Sequence, residues 1–219
     1  MKIFLDTASL KDIRAGVELG VVDGVTTNPT YIAKEGRPIH EQIRAICDVV
    51  DGDISAEVVA IQAREMVEEG RSLARIHPNV VVKVPLIPEG IQATKVLSSE
   101  GIRVNVTLCF TPVQAMLAAK AGAYIISPFV GRLDDIAITG MDLVRDILTI
   151  YRNYGFPTQV LAASMRGPLH VLEAARAGAH IATMPFKVLD SLFRHPLTDK
   201  GLAQFLADHQ KVFQEAPVG

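Results

Sequence analysis

Eight times along this chain a short run rich in branched apolar residues gives way to a longer segment with apolar residues every three or four positions. The short runs, read as strands, fall at residues 2–6, 24–28, 53–59, 80–85, 103–109, 123–130, 158–164 and 180–185. The longer segments, read as helices, fall at 10–19, 39–50, 62–76, 91–99, 112–121, 141–154, 169–177 and 186–194. Thr111 followed by Pro112 is an N-cap with proline at the first helical position, and Gly20, Gly70, Gly101, Gly122 and Gly178 stand where helices should stop.

The strands are nearly continuous in Val, Ile, Leu and Ala, which suits a parallel sheet covered by helices. Eight βα units of this kind point to an α/β fold, the closed (β/α)8 or TIM barrel, with a doubly wound open sheet as the second choice. At 219 residues the chain is expected to form one domain over residues 1–219, because a single core can grow to about 250–300 residues. Residues 198–214 add a C-terminal helix whose Leu202, Phe205, Leu206, His209 and Phe213 share a stripe, suited to capping the barrel or to subunit contacts.

Several classes of function are disfavoured. Lys and Arg number 22 against 24 Asp and Glu, with no basic stripe to follow a phosphate backbone, so nucleic acid is not an expected partner. No apolar run approaches the ~20 residues of a membrane helix, and Asp6 interrupts the apolar start before a signal-peptide core can form. Cys47 and Cys109 are far apart, which fits a reducing cytoplasm better than a disulfide framework. The six histidines lack metal-ligand spacing, and no glycine-rich phosphate loop opens a helix, so neither metal nor nucleotide cofactor is expected.

Reacting groups in a barrel of this type stand at the C-terminal ends of the strands. Here those ends carry Asp6, then Thr26, Thr27 and Asn28, then Glu57, Asn105 with Thr107, and Ser164. Lys83, within Val80-Val81-Val82-Lys83-Val84-Pro85, has apolar neighbours on both strand faces. Its stem could pack on apolar surface while the ammonium reaches water. Pointing inward instead, a desolvated lysine supplies free amine that attacks a carbonyl carbon and forms a Schiff base, the chemistry of aldolases and transaldolases. Asp6 and Glu57 provide carboxylates for moving protons, or alternatively pair with Lys83 or cap the next helix. Arg132 and Arg166, with Ser164, could hold a phosphate; their other reading is surface pairing with Asp134 or Asp135.

With Lys83 in V-V-V-K-V-P, Thr26-Thr27-Asn28-Pro29 and Ser127-Pro128-Phe129-Val130-Gly131-Arg132, the chain resembles the transaldolase family, in particular its short branch that also contains fructose 6-phosphate aldolase. The resemblance runs from Phe4-Leu5-Asp6-Thr7 to the last helix. It implies a class I aldolase-like mechanism in which Lys83 forms the imine, Asp6 takes the C4 hydroxyl proton, and Glu57 with Thr107 positions a water. Asn28, Asn105 and Ser127 match positions that bind the dihydroxyacetone portion, and Arg132, Ser164 and Arg166 match the sugar-phosphate site, while Thr26 and Phe129 complete the pocket. Fructose 6-phosphate aldolases typically carry Tyr at the position of Phe129 and Gln at that of Glu57, so this chain is transaldolase-like at both. Met165 departs from the Phe common in the family, with packing expected to change more than phosphate binding.

The expected activity is therefore transfer of a dihydroxyacetone unit from sedoheptulose 7-phosphate to glyceraldehyde 3-phosphate, a step of the pentose phosphate pathway. The alternatives are a fructose 6-phosphate aldolase that releases free dihydroxyacetone and a phosphosugar-binding barrel without catalysis. The resemblance also implies sugar phosphates as partners, a cytoplasmic enzyme without cofactor, and a homo-oligomer in rings of five, stacked as ten.

Overall fold

The computed structural model describes residues 1–214. Strands β1 (Lys2–Asp6), β2 (Gly24–Thr26), β3 (Asp53–Glu57), β4 (Val80–Pro85), β5 (Val104–Cys109), β6 (Ile125–Pro128), β7 (Gln159–Ala162) and β8 (Ile181–Met184) pair in parallel in chain order. β8 returns to pair with β1 through Lys2 and Ile181, so the sheet closes into a barrel. The closed (β/α)8 barrel, and not the open sheet, is the fold.

The helices are α1 (Leu10–Glu18), α2 (Pro29–Glu35), α3 (Ile39–Cys47), α4 (Ala63–Ala74), α5 (Pro88–Ser99), α6 (Pro112–Ala121), α7 (Val130–Asp134), α8 (Gly140–Tyr154), α9 (Pro168–Ala177), α10 (Phe186–Ser191) and α11 (Pro196–Gln214). The helix ends follow local chemistry. Thr111 accepts from the Gln114 backbone N–H while the Gln114 side chain bonds back, a reciprocal cap that starts α6. Gly122 and Gly178 end α6 and α9 at φ 94° and 84°, a left-handed turn that costs glycine little.

Six strands are shorter than their apolar runs, and in three of them the C-terminal trimming has a plain local cause. Asn28 leaves the second run because its side chain accepts the Tyr31 N–H at 2.9 Å and caps α2, a helix hidden behind Pro29. Val130 leaves the sixth run to begin α7, held by its N–H on the Ala163 carbonyl. Ser164 leaves the seventh because its backbone turns to φ 60°. α11 begins at Pro196, and Leu202, Phe205 and Leu206 on it are exposed. Phe213, part of the expected stripe, lies outside the residues whose side chains are described.

Side-chain alternation sorts each strand into two faces. Val82 and Val84 of β4 belong to the large core between sheet and helices. Phe4, Val81, Ile125, Leu161 and Ile181 form a separate cluster that fills the lower barrel interior. Two residues further along the same strands come Asp6, Lys83, Ser127, Ala163 and Thr183, all facing a cavity at the C-terminal end of the barrel. The apolar plug thus becomes the floor of a polar site within one step of the strand period.

Candidate active site

The cavity measures about 510 Å³ and opens at the C-terminal strand ends. Lys83 is buried on its floor. Its Nζ lies 2.9 Å from Glu57 Oε2 and donates to the Thr27 carbonyl at 2.8 Å. Glu57 and Lys83 are register partners across β3 and β4, so backbone pairing sets their approach. The solvent-seeking lysine is excluded: only 6% of the side chain is accessible. A buried ion pair of this kind is expensive to desolvate and adds little net stability, which makes chemistry the better account of it.

Asp6 stands on β1 at the same level. Thr26 Oγ1 donates to Asp6 Oδ1 at 2.9 Å and is itself 2.6 Å from Thr183 Oγ1, so the hydroxyls run Thr183 to Thr26 to Asp6. Tyr31 donates to the other oxygen, Oδ2, at 3.4 Å. Burial pushes the Asp6 carboxyl above the ordinary carboxylate range, opposed by the Lys83 charge and by the two hydroxyls. A carboxyl so placed is suited to holding a proton for part of a reaction cycle.

On the far wall, Ser127 donates to Asn105 Oδ1 at 2.7 Å, and Asn105 donates to Ser55 at 3.0 Å. Asn105 itself is fully buried and does not line the cavity; its link to the cavity is the hydrogen bond from Ser127. Thr107 lines the cavity, and its hydroxyl is buried without a hydrogen-bond partner within the protein. Next to it Leu108 adopts φ 61°, where the β5 to β6 register shifts between Val106 and Cys109. Phe129 packs edge-on to Phe110 at 5.7 Å, with the Arg132 guanidinium 5.2 Å from its ring centroid.

The mouth of the cavity is cationic. Arg132 from α7, Arg166 from the loop before α9 and Lys187 from α10 all line it, together with Ser164. Arg166 also pairs with Asp135 at 2.6 Å, as its surface reading required, but both side chains are more than half exposed, so the pair is weak and exchangeable. Gly131 lies against this loop: a Cβ there would strike the Ser164 carbonyl oxygen and the Arg166 side chain. His170 fixes the loop further, accepting the Arg166 N–H at 3.1 Å and contacting Asp134 at 2.9 Å. Met165 is buried at the cavity wall.

Every residue expected at the site therefore lines this one cavity except Asn105. Tyr31, Thr183 and Lys187 were not anticipated. Thr183 could have been found by counting two residues on from Ile181; Tyr31 and Lys187 sit on helices, where no strand period marks them. Among the described residues no group of three or more His, Cys, Asp or Glu is arranged to hold a metal ion. None of the described helices is long and apolar enough to cross a membrane.

The chain as a whole is similar to known proteins. The profile of the transaldolase/fructose-6-phosphate aldolase family matches residues 3–216. This chain belongs to that family. A probable transaldolase of Desulfatibacillum aliphaticivorans is 60% identical over 211 residues, covering 96% of this chain and 99% of the relative. One of Herpetosiphon aurantiacus is 59% identical over 218 residues, covering 100% and 99%, and one of Clostridium perfringens is 54% identical over 215 residues, covering 98% and 100%. The transaldolase/fructose-6-phosphate aldolase family thus accounts for the whole barrel and for α11.

Proposed function

We propose that this protein is a transaldolase that carries a dihydroxyacetone unit from sedoheptulose 7-phosphate to glyceraldehyde 3-phosphate through an imine on Lys83. The observation that carries the reading is a buried amine, Lys83 Nζ, 2.9 Å from the Glu57 carboxylate in a cavity that also holds Asp6 and the Arg132 and Arg166 side chains. Relatives similar over the whole chain bear the name probable transaldolase, which supports the same assignment.

In this mechanism Glu57 takes the ammonium proton, and the neutral amine attacks the C2 carbonyl carbon of the ketose. The carbinolamine loses water to give the imine, with Glu57 and Thr107 directing the proton and water transfers. Asp6 takes the C4 hydroxyl proton, the C3–C4 bond breaks, and its electron pair flows into the imine to give an enamine and erythrose 4-phosphate. The enamine carbon then attacks the aldehyde of glyceraldehyde 3-phosphate while protonated Asp6 returns its proton to the new hydroxyl. Hydrolysis of the imine releases fructose 6-phosphate and restores Lys83.

Ser127, backed by Asn105, and Asn28 hold the dihydroxyacetone portion, and Arg132, Arg166 and Ser164 take the phosphate at the mouth. Borohydride reduction in the presence of fructose 6-phosphate should add the reduced dihydroxyacetone unit to Lys83; mass spectrometry that finds Lys83 unlabelled would refute the mechanism. Comparing cleavage with and without an acceptor aldehyde separates this reading from a fructose 6-phosphate aldolase, since transfer requires the acceptor. Phosphosugar binding that survives Lys83→Ala, with no turnover by the intact protein, would instead mark a binding barrel.

The setting proposed is the pentose phosphate pathway of the cytoplasm. The exposed Leu202, Phe205 and Leu206 of α11 support a homo-oligomer, a pentamer or decamer. Light scattering that gives a monomer of 23.7 kDa would contradict it.

A further inference from the structure

Asp6 and Tyr31 line the main cavity and also a second cavity of about 270 Å³ beside it, so the pair forms part of the wall between the two. Tyr31 sits in the first turn of α2 and is anchored at both ends. Its backbone N–H is taken by Asn28 Oδ1 at 2.9 Å, and its hydroxyl reaches Asp6 Oδ2 at 3.4 Å. The ring is half-buried, with the Lys34 ammonium 5.6 Å from its centroid.

A carboxylate turns easily about its last bond, because a terminal sp³–sp² torsion is broad. Asp6 has a donor on each oxygen: Thr26, braced by Thr183, on Oδ1, and Tyr31 on Oδ2. With both in place the carboxyl plane is set and the remaining lone pairs are directed away from the two donors. Thr26 alone would leave Oδ2 free to swing.

We propose that Tyr31 is a positioning residue for Asp6: its hydroxyl fixes the orientation of the carboxylate that moves the substrate hydroxyl proton. The proposal rests on the reading of Asp6 as the proton-moving group. It assigns to α2, a helix outside the strand pattern, a direct part in the reaction.

The charges around the pair set the sign of the effect. Lys83 of β4 faces Asp6 and favours its ionised form, while Tyr31 is pushed up to about 12 by burial and by Asp6, against the opposing influence of Arg132 and Arg166. The phenol therefore stays protonated and remains a donor throughout the working range. On the side of the second cavity stand Asp12, Lys34 and Glu35, and Lys187 of α10 lines the main one. Tyr31→Phe keeps the ring and the wall and leaves these charges alone, but removes one group that opposes protonation of Asp6.

The test is the pH profile of transfer from sedoheptulose 7-phosphate to glyceraldehyde 3-phosphate for the intact protein and for Tyr31→Phe. The variant should show an acid limb of kcat moved to higher pH, kcat at neutral pH lower by roughly three- to tenfold, and KM within about twofold. Unfolding curves check that Tyr31→Phe is folded. Adding Tyr31→Phe to Asp6→Asn should change the residual rate no further. An unmoved acid limb, or a change confined to KM, would overturn the proposal and leave Tyr31 as wall only. Borohydride labelling separates the two levels: labelled Lys83 with an unmoved limb defeats Tyr31 alone, whereas unlabelled Lys83 defeats the imine mechanism itself.

Discussion

Glu57 Oε2 lies 2.9 Å from Lys83 Nζ because the two residues are register partners on β3 and β4, whose side chains at that level point to the same side of the sheet. Replacing Lys83 by Met should abolish borohydride labelling and turnover, and should also leave the Glu57 carboxylate buried without its cation. The stability lost should be about 3 kcal/mol by urea denaturation. Adding Glu57→Gln should restore most of that stability and none of the activity; a double variant as unstable as the single one would show that the pair is not coupled.

Asp6 should show the opposite balance. Its carboxyl is raised above the ordinary value of 3.8, chiefly by burial. A raised acid contributes stability that is fully present below its unfolded pKa and lost as pH rises through the folded one. At neutral pH the ionised Asp6 therefore costs stability. Asp6→Asn should raise Tm by a few degrees at pH 7, with the gain shrinking as pH falls toward 4, while transfer drops by roughly 10²-fold or more. Thermal melts at pH 4 and 7 check this; a Tm below that of the parent at pH 7 would reverse the sign of the argument.

Phe129 presents no hydroxyl to the cavity, and its ring is held between Phe110 and Arg132. Phe129→Tyr adds a proton donor at this wall that can protonate the enamine carbon and release free dihydroxyacetone. The variant should form dihydroxyacetone from fructose 6-phosphate without acceptor several-fold faster than the parent, measured by enzymatic assay of the ketone. No increase would mean that the phenol is misplaced.

Under the proposed function Arg166 exchanges its Asp135 partner for a phosphate, and the exposure of that pair makes the exchange cheap. Arg166→Ala should raise KM for fructose 6-phosphate by about 10- to 100-fold, the range of a charge-assisted hydrogen bond, and leave KM for non-phosphorylated fructose within about twofold. Asp135→Asn should lower KM or leave it unchanged. Equal effects of Arg166→Ala on both sugars would argue for a structural role.

Much of the site is legible along the chain because strand ends are local features. Lys83 is conspicuous as the one charge in Val80-Val81-Val82-Lys83-Val84-Pro85, Asp6 ends an apolar run, and Glu57 and Thr107 are polar residues inside theirs. Asn105 shows the limit: it is a polar residue in an apolar run, yet it does not line the cavity and meets it only through its hydrogen bond with Ser127. Tyr31 and Lys187 carry no strand signature, and only the docking of α2 and α10 on the barrel rim brings them to the cavity.

Periodicity and residue type specify the eight βα units, the polar strand ends and the buried lysine, since these depend on neighbours a few residues away. Closure of β8 onto β1 decides the rest. It turns one face of every strand inward, so that Asp6, Lys83 and Thr183, separated along the chain by 77 and 100 residues, share one cavity. Which of two faces a lysine with apolar neighbours on both sides will use is not a local property; it follows from strand register, and register is settled only when all eight strands pair.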